Sequence, residues 1–494
     1  MKEKLGLKTL HIILIILGTL FIFSTVFHNN IWFDEAYSVE MANHNLADIW
    51  NIGKNDVHPV LYYWMLRIVN ILTNGSVLAY RLFSSLPVAI LGILGITHIK
   101  KDFGEKTGIL FSFLNYFLPM MSVYANQIRM YSWALLIVSI LAIYTYRIYI
   151  GQSNKKNWII FGITSLASLY IHYYGLMVAG LINVFLLIHF IIKKKWKELK
   201  IQISLGIIQA IAYIPWIIAL FAQIEHVSNG FWIEFTLPKT VYEIVGCQMN
   251  GTLNTEKDLL VGFVVNTLLF ISLIIVSIKN RKNKELNLKP AIYSAIIYVA
   301  VILAAIVITK ILGAHILYYR YLFVITGLYI FTVSHILAKS NNKYLIAVVC
   351  IVVLVLGIHN CIIQFKDNYA LENNKPIEYL KENVQDGDVF VFNQAGSGFI
   401  CATVFKDNNH YFYNPDDWGV KEAYKAWAPQ METYITTNFL ENCKGRIWVI
   451  GAWNNSCYEE LFDNENYKII SNQYFVTKYE DYIYNITLVE RVEK

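Results

Sequence analysis

Ile31-Trp32-Phe33-Asp34-Glu35-Ala36-Tyr37-Ser38 begins four residues past an apolar run over residues 8–27. That run is long enough to cross a hydrocarbon core of about 30 Å as a helix. No small-residue cleavage site follows it, so it reads as a retained anchor and not as a signal peptide. Two adjacent carboxylates at a membrane surface are costly to desolvate, and they point to a site that meets a lipid-borne substrate.

Further runs follow at roughly 80–98, 107–123, 131–149, 158–175, 176–192, 201–221, 258–278, 290–309, 319–337 and 343–363. The count is about eleven spans. The chain has 494 residues, 56% of them hydrophobic and only 15% charged, and the charges cluster between the apolar runs. A soluble surface would spread them, so the expected class is an all-α polytopic membrane domain.

The lysines set the orientation. Lys2, Lys4 and Lys8, Lys100, Lys101 and Lys106, Lys155 and Lys156, the 193–200 cluster, the 279–289 cluster, and Lys339 and Lys343 fall in alternate loops. The positive-inside rule places these loops and the N-terminus in the cytoplasm. The Asp34-Glu35 loop then faces outward, with the loops near 124–130, 222–257 and 310–318 and everything beyond about residue 364. The net charge of +6 is accounted for by this bias and is not read as a nucleic-acid footprint. The apolar stretch from Val57 to Leu72 is only about 16 residues long and contains Arg67; read as a span, it would invert every later loop. It is expected to lie along the outer surface as an interfacial helix, with Tyr62, Tyr63 and Trp64 at headgroup level.

From about Asp367 the pattern changes. Strand-length runs such as 388–392 and 446–450 alternate with Gly, Asn, Asp and Pro, as in a small α/β domain. Helices are expected at Lys375–Asn383, where Pro376 sits in the first turn, and over Val420–Phe439 with a break near Pro429. The expected division is therefore 1–363 for the membrane domain, including a first outer loop over 28–79 with interfacial helices, and 364–494 for the extracytoplasmic domain. Of six cysteines, Cys350 and Cys361 belong to a span. Cys247, Cys401, Cys443 and Cys457 are expected outside, with their pairing open. No spacing resembles a zinc site.

Arginine usage is selective. The chain has 33 lysines and 8 arginines, yet Arg67, Arg81, Arg129 and Arg320 stand at outward helix ends, and Arg281 alone joins a cytoplasmic lysine cluster. A guanidinium binds phosphate oxygens through two parallel bonds and stays charged when partly dehydrated. The alternative for any one of them is snorkelling to headgroups or pairing with a carboxylate.

The ordered set of Asp34-Glu35, His58-Pro59-Val60-Leu61-Tyr62-Tyr63, Arg81-Leu82-Phe83-Ser84-Ser85-Leu86-Pro87, Tyr124-Ala125-Asn126-Gln127-Ile128-Arg129-Met130-Tyr131-Ser132, Tyr170-Ile171-His172-Tyr173-Tyr174-Gly175 and Tyr319-Arg320-Tyr321-Leu322 resembles bacterial relatives of the dolichyl-phosphate-mannose protein mannosyltransferases and aminoarabinose transferases, the GT-C class of membrane glycosyltransferases. The resemblance covers about residues 1–340. Val60 departs from it, since the family more often has a second proline there. The resemblance implies transfer of a sugar from a polyprenyl phosphate to an acceptor hydroxyl on the outer face, with inversion. Asp34 is then the candidate base and Glu35 a holder of acceptor, cation or basic side chain, with the two roles exchangeable. Arg129 with Tyr131, Arg320 with Tyr321, and Arg81 are expected on the donor phosphate. Gln127, His58 and His172 are candidate substrate contacts, and His58, His172 and Glu35 together could hold a divalent cation; a metal stays open. Each histidine has a plain alternative as a hydrogen-bonded packing residue.

No glycine-rich phosphate loop and no large cytosolic domain provide for a nucleotide sugar. The competing class is a transporter or flippase of a lipid-linked saccharide, which would place charges near the bilayer midplane and show repeat symmetry. A non-catalytic assembly or sensor protein would leave the ordered polar set without a purpose. The sugar and the acceptor, whether protein, lipid or cell-wall glycan, are not encoded legibly. The Lys, Asn and Ile bias points to a bacterium with an AT-rich genome.

Overall fold

A computed structural model describes residues 2–228, 236, 238–250, 256–280, 283, 286–313, 315–417, 419, 421–441, 443, 445–454, 456–462 and 466–492. Parts of the expected 222–257 outer loop, the cluster residues Arg281, Lys282 and Lys284, and Val420 lie outside the described residues. The chain divides into two compact units. A helical unit comprises Met1–Val26, Val57–Tyr62 and Arg81–Gln364, and a sheet unit comprises Phe27–Asp56, Tyr63–Tyr80 and Phe365–Lys494. Most of the first outer loop thus falls with the C-terminal residues.

Among the described residues, nine helices are long and apolar enough to cross a membrane: Gly6–Phe23, Val77–Phe103, Tyr131–Tyr149, Tyr173–Ile192, Trp196–Glu225, Lys257–Asn280, Lys289–Leu312, Tyr319–Ser340 and Lys343–Asn368. The runs at 107–123 and 158–175 are also helical, but shorter. Glu105–Phe117 stops at Leu118, whose backbone is extended (φ −60°, ψ 131°) because it precedes Pro119, and a six-residue helix, Pro119–Tyr124, follows. Lys155–Ile171 has 17 residues and stops at His172, which is fully extended (φ −167°, ψ 145°).

Tyr319–Ser340 is the central helix of its unit, with 94% of its apolar window buried against 17% for Gly6–Phe23. Small residues allow its neighbours to close in, as expected where lipid supplies no hydrophobic drive between helices. A Cβ added at Gly327 would fall 2.1 Å from Ser139 Oγ, so the Tyr131–Tyr149 helix lies directly against the central one. The lysine-rich end is laced by ion pairs, Arg147 to Asp102 at 2.8 Å and Lys100 to Glu105 at 2.6 Å.

The sheet unit is built on six strands: β1 (Val389–Phe392), β2 (Asn409–Tyr413), β3 (Met431–Tyr434), β4 (Arg446–Ala452), β5 (Tyr467–Val476) and β6 (Ile483–Arg491). Their order is β3-β2-β1-β4-β6-β5. The first four run parallel and the last two pair antiparallel. Every residue of β1 is buried, as its uninterrupted apolar sequence requires of a strand covered on both faces. Val389, Val391, Ile447 and Val449 pack on one face with Phe439 and Leu461, while on the other Phe390 stacks on His410, Phe392 stacks on Phe412, and Phe399 meets Phe412 edge-on.

The Lys375–Asn383 helix forms as expected, but no helix runs over 420–439. That stretch gives a single turn at Lys421–Tyr424, then strand β3, then a 3-10 turn at Thr437–Glu441. Pro429 interrupts any helical ladder there, and the Thr433-Tyr434-Ile435-Thr436 run suits a sheet edge better than a helix.

First-loop residues form core elements of this unit. In the Phe33–Asn43 helix every residue from Glu35 to Ala42 is buried, because the helix packs on the Ala395–Val404 helix. Phe33 stacks parallel to Trp427 at 6.4 Å and contacts Phe399 at 5.4 Å. The suspected interfacial segment is the Leu61–Thr73 helix. Its 13 residues rise only about 20 Å, short of a span. Arg67 ties it to the carbonyls of Ala42 and Asn43 at 3.2 and 3.3 Å, while Ile68, Ile71 and Leu72 stay exposed.

Candidate functional site

In the helical unit the motif residues collect at helix ends. His172 is the single extended residue between two helices, and its Nδ1 accepts the Tyr174 amide at 3.1 Å, capping the helix that follows. Gly175 makes this junction possible, since a Cβ there would meet Ser168 O at 2.6 Å. With Nδ1 accepting, Nε2 carries the proton of the neutral ring. That atom is buried and has no hydrogen-bond partner among the described residues.

Aromatic rings surround it. His58 lies 5.9 Å away, Tyr131 5.9 Å, Tyr174 5.8 Å and Tyr321 5.1 Å between ring centroids. Arg129 is close enough for its charge to act on the imidazole. Arg320 lies over the Tyr318 ring at 5.4 Å, and Tyr318 in turn contacts Tyr321 at 5.7 Å. The structure thus brings His58, Tyr131, His172 and Tyr321 into one ring cluster, with Arg129 and Arg320 at its margins.

His58, His172 and Tyr321 also line a cavity of about 310 Å³ whose remaining wall is almost wholly apolar, including Leu176, Met177, Leu220, Ile308 and Leu312. The arrangement is an apolar cavity with polar rings at one part of its wall.

The 125–130 segment, which carries Gln127 and Arg129, is non-helical and is held from below. Arg81, 1% exposed, donates to Asn126 O at 2.9 Å. Ser85 donates to the Asn126 side-chain oxygen at 3.1 Å, and the Asn126 amide donates to Thr25 and to Ile22 O. Gln127 takes part through its backbone, its carbonyl accepting the Arg129 amide at 2.7 Å. Asn126 is therefore the hub of this loop. In the sequence nothing beyond its polarity sets it apart within its motif.

Asp34 and Glu35 lie in the sheet unit, in the first turn of the Phe33–Asn43 helix, where the amide dipoles favour negative charge. Glu35 is fully buried and accepts the Tyr479 hydroxyl at 2.8 Å. Asp34 is half-buried. A third carboxylate, Glu40, is 2% exposed and pairs with Lys406 at 3.1 Å, with the Asn43 and Gln430 amides beside it. Burial pushes the Glu40 carboxyl above its ordinary value, and Lys406 opposes the rise. Neither Tyr479 nor Lys406 left any signal in the local sequence around residues 34–40.

The three proposed cation holders do not fall in one unit: His58 and His172 are neighbours in the helical unit, and Glu35 belongs to the sheet unit. Among the described residues no group of three or more His, Cys, Asp or Glu is placed to hold a metal ion. All six cysteines are free, Cys401, Cys443 and Cys457 being buried in the sheet unit.

No protein-family model matches the chain, and no curated protein matches it. Solved structures similar to it include ArnT from Cupriavidus metallidurans in the apo state, at 11% identity and a TM-score of 0.48 over 97% of this chain and 98% of that one. The same enzyme bound to undecaprenyl phosphate gives 10% identity and a TM-score of 0.43, over 97% of each chain. The oligosaccharyltransferase of Archaeoglobus fulgidus, in complex with Zn and sulfate, gives 13% identity and a TM-score of 0.46 over 88% of this chain and 68% of that one. Likenesses of this size transfer no residue roles, which rest instead on the side chains of this chain.

Proposed function

We propose that the chain is an integral membrane glycosyltransferase that moves a sugar from a polyprenyl-phosphate donor to an acceptor hydroxyl on the extracytoplasmic face, with inversion. The observation that carries this reading is the helical unit's apolar cavity, walled in part by His58, His172 and Tyr321. A polyprenyl-phosphate sugar is an anionic head on a long apolar tail. It needs hydrocarbon walls and charged or hydroxyl donors together, and the Arg129, Tyr131, Arg320 and Tyr321 side chains supply the donors.

The acceptor oxygen attacks the anomeric carbon and forms the new C–O bond. The bond from that carbon to the phosphate oxygen breaks, its electron pair leaving on the phosphate, and the hydroxyl proton passes to Asp34. Arg129 and Arg320 neutralise charge growing on the leaving phosphate. His172 Nε2 offers a neutral donor, and Arg81 keeps the Arg129 loop in place through Asn126.

Asp34 is favoured over its neighbours because it is half-buried, whereas Glu35 is buried against Tyr479 and Glu40 against Lys406. The two histidines of the helical unit give fewer ligands than the three or four a catalytic or structural zinc takes, so no step is assigned to a metal.

Protein reconstituted in vesicles should transfer labelled sugar from a synthetic polyprenyl-phosphate sugar without ATP or a nucleotide sugar. Movement of the intact lipid-linked sugar across the bilayer, with the sugar–phosphate bond uncut over a range of acceptors, would make it a flippase and overturn this reading.

A further inference from the structure

A second cleft, of about 490 Å³, opens in the sheet unit and is lined by the residues that follow three parallel strands. Asn393 to Gly396 follow β1, Asn414 to Asp416 follow β2, and Trp453, Ser456 and Glu460 follow β4. Strand β1 has β2 on one side and β4 on the other, so the chain switches direction across the sheet at this point. Crevices at the carboxyl ends of parallel strands, beside such a switch, are where open α/β sheets bind ligands.

The chemistry of the lining narrows the ligand. Trp453 is 52% exposed, an unusual setting for so large an apolar ring, and stacks on Tyr482 at 5.4 Å with 27° between the planes. Its backbone is left-handed, at φ 64°, a conformation disfavoured for a bulky residue and retained only where the surroundings impose it. Gly396 gives the two rings their floor: a Cβ there would lie 2.8 Å from Tyr482 and 3.0 Å from Trp453.

Among the described residues the polar side chains around this platform are amides, a hydroxyl and carboxylates. Asn393 donates to Ser456 Oγ at 3.1 Å and to Glu460 at 3.0 Å. The side-chain oxygens of Asn393 and Gln394 have no hydrogen-bond partner among the described residues. Asp416 and Glu460 line the cleft, and among the described residues no lysine or arginine does. A nucleotide or other phosphate is disfavoured by that charge. A sugar ring is favoured, since its C–H face lies on an exposed indole and its hydroxyls donate to waiting oxygens.

We propose that this cleft binds a neutral saccharide unit of the acceptor. The acceptor assignment rests on the glycosyl-transfer reading above. The saccharide assignment rests on the cleft alone. Phe33 links the two, because it lines the cleft, donates its backbone N–H to the Tyr482 hydroxyl at 3.4 Å, and directly precedes Asp34.

The test uses the full-length protein in nanodiscs, with saturation-transfer NMR against maltotriose, mannotriose and chitotriose as neutral probes and UDP as an anionic control. At least one neutral trisaccharide should bind and UDP should not. Trp453→Ala should weaken the saccharide on the order of tenfold or more, Trp453→Phe should retain it, and Asp416→Ala, on the exposed rim, should weaken it without altering the thermal midpoint. Arg320→Lys should leave it unchanged. Absence of binding by all three saccharides, wild-type affinity in both Trp453→Ala and Asp416→Ala, or UDP competing at the cleft would each overturn the proposal. Donor cleavage is read separately: cleavage without saccharide binding sinks the cleft alone, whereas Trp453-dependent binding without cleavage sinks glycosyl transfer and leaves the saccharide site standing.

Discussion

The two units of this protein gather opposite chemistry. In the helical unit His58, His172 and Tyr321 line an apolar cavity, with Tyr131 in the same ring cluster and Arg129 and Arg320 at the cluster's margins. In the sheet unit the grouped polar side chains are carboxylates on one helix, Glu35 buried against Tyr479, Glu40 against Lys406 and Asp34 half-buried. A phosphate leaving group calls for cations and neutral donors, and a hydroxyl nucleophile calls for a base. On the reading proposed above, the two sets of side chains would answer these two needs separately. The contrast also shows how each environment is made: close helix packing at Gly327 in one, a helix seated on a parallel sheet in the other.

The sharpest way to break the division is Asp34→Asn, which keeps shape and removes the proton acceptor. Turnover should fall about 10²–10⁴-fold, the usual worth of a general base, with donor affinity unchanged. Near-normal sugar transfer by a normally inserted variant would move the role to another group, Glu35 first. On the donor side, Arg129→Lys and Arg320→Lys keep the charge and lose the fork. Each should raise the KM for the lipid donor about 10–100-fold, the range expected for one or two hydrogen bonds to a charged group, while the KM for the acceptor changes little. A larger effect on acceptor than on donor would undo the assignment of the phosphate to the helical unit.

The smallest effect concerns Glu40. Burial raises its folded-state pKa above the ordinary 4.5. A raised carboxyl contributes stability that is complete below the unfolded value and is lost as pH rises toward the folded one. Lys406→Met removes the opposing cation, raises that value further and widens the window of loss. The variant should match wild type near pH 4 and lose on the order of 1 kcal/mol at pH 7, a modest figure because the lysine is half-exposed and screened. Thermal melts of the full-length protein at the two pH values check it. An equal loss at both would mean that Lys406 acts through packing alone.

Sequence alone determined the parts whose signal is local. A run of about 20 apolar residues has few alternatives to a membrane helix, because its backbone must bond to itself; a helix formed at each of the eleven runs. The same local logic located β1, β4 and the Lys375–Asn383 helix, and the ordered polar motifs supplied the candidate residues. It failed over 420–439, where a short amphipathic pattern around a proline was equally compatible with a turn and an edge strand, and pairing with β2 decided for the strand.

Tertiary structure alone decided what surrounds each candidate. The loop expected to face outward, which carries Asp34 and Glu35, forms the Phe33–Asn43 helix, and it is buried against the Ala395–Val404 helix. Glu35 meets Tyr479 across 444 positions, Glu40 meets Lys406, and Phe33, Trp453 and Tyr482 share one cleft. Hydropathy and periodicity act within windows of a turn or a strand, whereas such pairings are fixed by how whole elements pack, and no window of neighbouring residues contains them.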